Sequence, residues 1–218
     1  MMSFLAGAVI GALAAAGPAP ALEPGDGLAA IQDRAEHALE SRQNALDRAA
    51  AAIERNDYLT DEHRAALEAN IAETEAGLDA LGAEIAGATA ARDAKEDFQR
   101  IFTDYRVFAV VVPQSAYVSA TDRLTESAIP RLDEAYARLE PLAADNPEAQ
   151  ARLADMRMAI DEAAALTDGL ADRLLAVDAA DYNADNLVVS ELRRELGDAA
   201  ARVRAAMAAG RDVMAALR

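Results

Sequence analysis

The chain contains no cysteine and no tryptophan, and it has few basic residues relative to acidic ones. Without cysteine it has no disulfide framework, thiolate metal site, cysteine nucleophile or lipidated N-terminal cysteine. Its 218 residues include 21 Lys and Arg against 38 Asp and Glu, a formal net charge of -17. That balance argues against a nucleic-acid partner, because such a surface cannot neutralise a run of phosphates. It argues equally against a basic patch that binds anionic lipid.

One short apolar run stands near the start of the sequence, from Phe4 to Ala16. It is shorter than the roughly 20 residues that span a bilayer. Ala19-Pro20-Ala21 follows it, and small residues on both sides of one intervening residue are typical of a signal-peptide cleavage site. This pattern predicts a signal peptide over residues 1–21, a leader over 22–27 and no membrane span in the mature chain. The alternative is a buried or frayed N-terminal helix. We therefore expect a secreted or cell-envelope-associated protein.

Residues 28–94 have the composition and spacing of two long helices. Ala, Glu, Arg, Leu and Asp dominate there, and most of them are good helix formers. Large apolar residues recur on one stripe of each helix at heptad or near-heptad spacing, namely Leu39, Leu46 and Ile53, then Leu67, Ile71, Leu78, Leu81 and Ile85. Asn56 begins a turn between the helices, and Thr60 is the expected N-cap of the second. The pattern predicts an antiparallel helical hairpin.

Five of the nine phenylalanines and tyrosines fall between Phe98 and Tyr117. This segment, called here the aromatic neck, is apolar on nearly every helical face, which is typical of a helix buried on all sides. Residues 107–112 are also rich in valine, so a strand is the rival interpretation. We favour a helix because the flanks offer no turn signals or pairing strand. Pro113 is expected to kink or interrupt this helix, and Pro130 to do the same after Ile129.

Three more helical stretches of similar length follow. The first runs from about Gln114 to Glu140, and Asn146 with Pro147 is the expected start of the next. That next stretch carries its apolar seam from Leu153 to Val177, and the last carries its own seam to Leu217. Matched lengths and short loops predict an up-down three-helix bundle within residues 95–218. The predicted fold is all-α: an antiparallel coiled-coil hairpin joined through a kinked aromatic helix to this bundle.

The sequence offers little for catalysis. His37 and His63 are the only histidines, and Arg34 and Thr60 stand where a di-iron helix motif needs glutamate. The His-Glu-x-x-His, Gly-x-Ser-x-Gly and P-loop patterns are absent. We therefore expect a non-enzymatic protein without a cofactor, and both histidines on the surface.

One segment has the ligand spacing of a calcium loop. Asp181, Asn183 and Asp185 place side-chain oxygens at alternate positions, so they form a candidate metal site. However, Asn186 replaces the turn glycine, and Glu191 stands one place before the position of the bidentate ligand. We favour the alternative of a capping turn, in which these Asp and Asn side chains accept from the free backbone N–H groups of the last helix.

Four short blocks resemble a family of uncharacterised, exported, Ala-rich helical proteins of high-GC Gram-positive bacteria. They are IFTDYRVF at 101–108, VVPQ at 111–114, ATDR at 120–123 and DYNAD at 181–185. The resemblance implies export and an all-helical fold. It implies no activity, so it transfers no catalytic residue to this chain.

The sequence favours an exported, non-enzymatic helical protein that acts as a cell-envelope spacer or protein-interaction module. We expect a protein partner, or a second copy, to bind the N-terminal hairpin through its interaction seam: Leu39, Leu46, Ile53, Leu67, Ile71, Leu78, Leu81 and Ile85. The alternative function is binding of a small ligand or cation by the aromatic neck or the Asp181 loop. An enzyme is the third hypothesis. Structurally, the hairpin could instead fold back along the bundle as part of one five-helix core.

Overall fold

A computed structural model describes residues 27–218, so the predicted signal peptide and most of the leader lie outside the described residues. The described part contains helices and connecting turns, and no strand, which confirms the all-α prediction. The α-helices are α1 (Leu28–Glu54), α2 (Asp61–Gly87), α3 (Ala91–Thr103), α4 (Val112–Arg123), α5 (Ile129–Ala143), α6 (Pro147–Thr167), α7 (Leu170–Leu175), α8 (Ala179–Ala184) and α9 (Val188–Ala216). Two π-helical turns, Val107–Val111 and Leu124–Ala128, flank α4.

Helices α1 and α2 pack together across the turn that separates them. The Thr60 side chain accepts a hydrogen bond from the backbone N–H of His63 at 3.1 Å, so the predicted N-cap is confirmed. Asp61 and Glu62 occupy the first turn of α2, where negative charge is favourable near the positive end of the helix dipole. Arg64 donates to the backbone oxygen of Asn56 at 2.6 Å. These local contacts fix the turn between the two helices.

The aromatic neck is helical, and it contains a break that was not predicted. Helix α3 ends at Thr103, and Arg106 adopts a left-handed conformation with φ 45° before the π-helical turn begins. The preference for helix over strand at 107–111 is therefore confirmed, and the π-helical turn changes to the α-helix α4 directly before Pro113. Pro113 lies in the first turn of α4, where a missing backbone N–H costs no intrahelical hydrogen bond.

Both π-helical turns immediately precede a proline-containing helix start. A proline ring clashes with the carbonyl four residues earlier in a regular α-helix. For Pro113 and Pro130 those carbonyls belong to Ala109 and Glu126, and each lies within one of the π-helical turns. In a π-helical turn the hydrogen bonds join residues five apart, which relaxes the four-residue spacing that brings this carbonyl against the ring. The chain can therefore continue in helical form through both prolines.

The apolar side chains form two cores that share helix α9. The first core combines α1, α2, α3, the 107–111 turn, α4 and α7 with Leu192 and Leu196 of α9. The second combines α5 and α6 with Val203, Ala206 and Val213 of the same helix. At 1.5 Å per residue, the 29 residues of α9 extend about 44 Å. The hairpin thus shares one core with the aromatic neck, and α9 continues from that core into the second.

Small residues let α6 and α9 approach closely in the second core. Ala163 and Ala206 are fully buried there, and a Cβ atom placed on Gly210 would lie 3.3 Å from the sulfur of Met156. Asn146 caps α6 by accepting from two backbone N–H groups, each at 3.1 Å, which confirms its predicted role. Its side-chain nitrogen also donates to the Ala216 carbonyl at 2.9 Å. The start of α6 is therefore tied to the end of α9.

The apolar seam from Leu153 to Val177 predicted one continuous helix, and this prediction is wrong. Helix α6 ends at Thr167, Gly169 adopts φ 60°, and α7 begins at Leu170. Glycine tolerates this left-handed conformation because it has no Cβ. The turn carries α7 into the first core, whereas α6 belongs to the second.

Candidate functional site

His63 belongs to a cluster with two aspartates, so its expected surface position is wrong. Its side chain is only 16% exposed, and its Nδ1 atom lies 2.8 Å from Oδ1 of Asp122. On the opposite side of the ring, Nε2 lies 3.4 Å from Oδ1 of Asp172. His37, by contrast, is exposed as predicted. We refer to His63, Asp122 and Asp172 as the histidine cluster.

Three helices supply the members of the histidine cluster. His63 stands in the first turn of α2, Asp122 near the end of α4, and Asp172 on the short α7. The Asp122 side chain is 2% exposed and also accepts the Thr60 backbone N–H at 3.0 Å. A carboxylate that accepts a hydrogen bond from this ring requires the proton on Nδ1 of His63, the nitrogen that faces Asp122. The cluster therefore fixes the orientation of the imidazole ring.

The charges around His63 favour its protonated form. Burial opposes that form, but the hydrogen bonds and negative charges of Asp122 and Asp172 outweigh burial and raise the pKa of His63 above its ordinary value. Both ring nitrogens face carboxylates, and among the described residues no hydroxyl forms a hydrogen bond with this ring. The arrangement favours a protonated imidazole between two carboxylates and links α2, α4 and α7.

A second buried polar group lies on the same three helices. Gln114 is 3% exposed, and its nitrogen donates to the carbonyls of Leu174 at 2.6 Å and Val177 at 2.8 Å. Its oxygen accepts from the Asn70 side chain at 2.8 Å. Gln114 thus joins α4 to carbonyls at and just after the end of α7, where the Leu174 oxygen also accepts the backbone N–H of Val177. Its contacts are those of a structural link.

The aromatic neck encloses an arginine that was not among the predicted site residues. Phe98 is 1% exposed and packs edge-on against Phe102, with ring centroids 5.2 Å apart. The guanidinium carbon of Arg42, on α1, lies 4.2 Å from the centroid of the Phe102 ring and 5.4 Å from that of Phe108. Arg42 is only 8% exposed. A signal was available, since Arg42 stands three residues after Leu39 and four before Leu46, on the apolar stripe of α1.

Arg42 is a buried cation without a carboxylate partner in the described part of the chain. Its Nη1 donates to the Ala38 carbonyl at 2.8 Å, while its Nε is buried without a hydrogen-bond acceptor. Burial lowers the pKa of Arg42 to about 10, so the guanidinium remains charged at neutral pH. We refer to Arg42, Phe102 and Phe108 as the arginine site.

The candidate metal residues make hydrogen bonds that hold the backbone in place. Asp181 forms a reciprocal capping box with Asp178 at the start of α8. The oxygen of Asn183 accepts from Arg106 Nε at 2.7 Å, and the oxygen of Asp185 accepts from a backbone N–H at 2.9 Å. Within residues 27–218, no group of three or more His, Cys, Asp or Glu side chains is placed to hold a metal ion. Asp181 therefore caps α8, whereas the predicted capping of the last helix is wrong, because α9 begins without a side-chain cap.

The structure places the interaction seam inside the first core. Every seam residue except Leu39 is buried: Leu46, Ile53, Leu67, Ile71, Leu78, Leu81 and Ile85. Leu39 is half-buried and approaches Gly82, where an added Cβ would lie 3.1 Å from its methyl carbon. The seam is therefore covered by other helices of the same chain.

No family model, curated protein or solved structure matches the chain. The family resemblance of the 101–108 and 181–185 blocks therefore stays an expectation from sequence. The described helices include none with the length and apolar content that a membrane crossing requires.

Proposed function

We propose that this chain is an exported, non-enzymatic helical protein that acts at the cell envelope as a spacer or protein-interaction module. The observation that carries this proposal is the continuity of α9 through two cores. Its first half packs with the hairpin and aromatic neck, and its second half packs with α5 and α6. Two cores built in series on one helix keep their relative position, as a spacer requires. In this proposal the hairpin, the kinked neck and the three-helix bundle are successive parts of the spacer.

Hydrogen bonds at the junctions support a fixed geometry. Gln114 links α4 to α7, Asn146 links α6 to the end of α9, and Arg106 links the neck to Asn183 on α8. Each bond joins residues that are distant in sequence, so bending at these junctions would break it. We therefore expect the two cores to stay at a nearly constant separation.

The hairpin is the proposed contact region for a protein partner or a second copy. Because its seam is covered, a partner that binds the folded chain would use the outward faces of α1 and α2. Exposed acidic residues lie on both helices, among them Glu36, Glu40, Glu68 and Glu73. Such a contact would favour a basic partner surface and weaken as salt screens the charges.

Export is tested by expressing the chain with its own leader and fractionating the cells. Intact-mass spectrometry should find a protein that begins at Leu22, in the medium or the envelope fraction. A protein that retains Met1 in the cytoplasm would contradict the export proposal.

The spacer geometry is tested with paired spin labels, which the absence of native cysteine makes straightforward. Ser190→Cys and Arg211→Cys place labels on exposed positions near opposite ends of α9. Double electron–electron resonance should give one narrow distribution of label-to-label distances. Its centre should lie near about 32 Å, the rise of 21 helical residues, plus the length of the label arms. A broad or multiple distribution would contradict a rigid spacer.

A further inference from the structure

We propose that a second copy of this chain binds the hairpin, by laying a stripe of arginines on its α9 along the acidic groove between α1 and α2. This proposal rests on the proposed function, in which the hairpin is the contact region, and it names the partner. It is argued from two exposed surfaces of opposite charge, one on α9 and one on the hairpin.

Three arginines form an exposed stripe along α9. Arg193, Arg204 and Arg211 are separated by 11 and 7 residues, close to three and two helical turns, so they share one side of the helix. All three are exposed. Gly197 and Ala208, each one turn after an arginine, are small enough to let another helix approach closely. We refer to the three arginines as the basic stripe, which is about 27 Å long.

The described part of the chain gives the basic stripe no negative partner. The residues three and four positions before and after each of its arginines are all uncharged. Within residues 27–218, the ion pairs of α9 are those of Glu195 with Arg173 and of Arg202 with Glu162. Neither pair involves the stripe, so its positive charge is available to a partner.

The hairpin carries acidic side chains along both α1 and α2. Those on α1 repeat every seven residues and are all exposed: Asp33, Glu40, Asp47 and Glu54. Those on α2 follow with spacings of 7, 7 and 4 residues: Asp61, Glu68, Glu75 and Asp79. All of the latter are exposed except Glu75, which is half-buried. We refer to these eight side chains as the acidic groove.

The two rows of acids meet between the helices. Gln43 of α1, one turn before Asp47, donates to Oδ1 of Asp79 at 2.6 Å. Burial and the negative charges of Asp47 and Asp79 raise the pKa of Glu75. Among the described residues, none of the eight acids forms an ion pair with arginine or lysine, whereas Glu84, beyond the groove, pairs with Arg100. A partner that brings positive charge would relieve the repulsion within the groove.

The basic stripe and the acidic groove match in length and in repeat. The acids of α1 extend over about 32 Å and those of α2 over about 27 Å, so the stripe can meet carboxylates along its whole length. Both surfaces are exposed, so neither covers the other within one chain and their contact requires a second copy. Each copy has a net charge of -17, but charges more than about 8 Å apart are screened at physiological salt, so the charges at the contact dominate.

The test is sedimentation equilibrium of the full chain between about 10 µM and 1 mM, a range that detects weak association. At about 0.15 M salt, the average mass should rise with concentration to at least that of a dimer. At about 1 M salt the Kd should rise at least about tenfold, because salt screens the contact. A chain that stays monomeric at about 1 mM, or a Kd that salt leaves unchanged, would overturn the proposal. Neither result would affect the export and spacer tests, which measure the leader and the length of α9 in single chains.

Two charge-reversal variants assign the association to the two surfaces. The stripe variant combines Arg193→Glu, Arg204→Glu and Arg211→Glu, and the groove variant combines Glu40→Lys, Asp47→Lys and Glu68→Lys. All six positions are exposed, so both variants should fold with nearly the wild-type Tm. Each variant alone should stay monomeric, because like charges then face each other. An equimolar mixture should associate, because each variant then offers the charge that the other one needs.

A control variant reverses three exposed basic residues outside the stripe: Arg92→Glu, Lys95→Glu and Arg194→Glu. Arg194 also lies on α9, but it has Glu191 and Asp198 within about one helical turn. The control changes the net charge as much as the stripe variant does, and it should associate like the wild type. Association of either charge-reversal variant alone, a monomeric mixture of the two, or a monomeric control would overturn the proposal.

Discussion

Replacing Gly77 with alanine probes the packing of the aromatic neck on the hairpin. Glycine inside a helix ordinarily destabilises it, and a change to alanine gains about 0.5–1 kcal/mol. Gly77 is an exception because the ring of Tyr105 lies on it. A Cβ atom at this position would stand 2.4 Å from Cε1 and 2.7 Å from the hydroxyl oxygen of Tyr105. We therefore expect Gly77→Ala to destabilise the protein.

The magnitude follows from the displacement that the new methyl group requires. Carbon atoms in contact stand about 3.5–4.0 Å apart, so the Tyr105 ring has to move by roughly 1 Å or more. Overpacking of this kind costs about 1–3 kcal/mol, which exceeds the gain in helix propensity. Gly197 is exposed on α9, and a Cβ added there would have no atom within 4 Å, so Gly197→Ala should show the gain alone. The two variants should differ by at least about 1 kcal/mol, in opposite directions from the wild type.

Urea unfolding followed by far-UV circular dichroism measures this difference. A double-mutant cycle with Tyr105→Ala shows whether the loss of stability comes from contact with the Tyr105 ring. Once that ring is absent, Gly77→Ala should become stabilising. If Gly77→Ala stabilises the wild-type chain as much as Gly197→Ala does, Tyr105 does not pack on α2 and the reasoning is refuted.

Two further predictions concern the histidine cluster and the neck. Because the pKa of His63 is raised in the folded state, its protonated form stabilises the fold fully below about pH 6.5, and this contribution is lost as pH rises through the folded pKa. The Tm difference between the wild type and His63→Gln should therefore be smaller at about pH 8.5 than at about pH 5.5. An equal Tm difference at both pH values would contradict a stabilising interaction of protonated His63 with Asp122 and Asp172. Phe98→Ala should cost about 3–5 kcal/mol in urea unfolding, because Phe98 is 1% exposed. Phe108→Ala, at a half-buried ring, should cost less, and the reverse order would contradict the described burial.

The helices and their N-caps could be predicted from sequence because residues close together in the chain determine them. Apolar spacing depends on residues three and four apart, and an N-cap depends on residues within one turn. Thr60 and Asn146 were therefore predicted in the roles that they have. The helical state of residues 107–111 was also predicted, although its π-helical form was not.

The candidate sites could not be predicted because their partners are distant in sequence. His63 and Asp122 are separated by 59 residues, and only the packing of α2 on the rest of the first core brings them together. Likewise, Gly77 alone indicates a weak point in a helix, and only the fold places Tyr105 against it. The break at Arg106 was not predicted because no glycine or asparagine marks its left-handed conformation.

The shared core of hairpin and neck is best tested by the folding of a fragment that begins at Lys95 and lacks the hairpin. In the full chain, Phe98, Ile101 and Val110 share one core with α1 and α2, and removing those helices would expose them to water. We predict that the fragment loses its cooperative thermal transition, measured by circular dichroism, and gives a poorly dispersed amide NMR spectrum. A fragment that melts cooperatively and gives a dispersed spectrum would show that the hairpin is a separate unit, and would contradict the shared core.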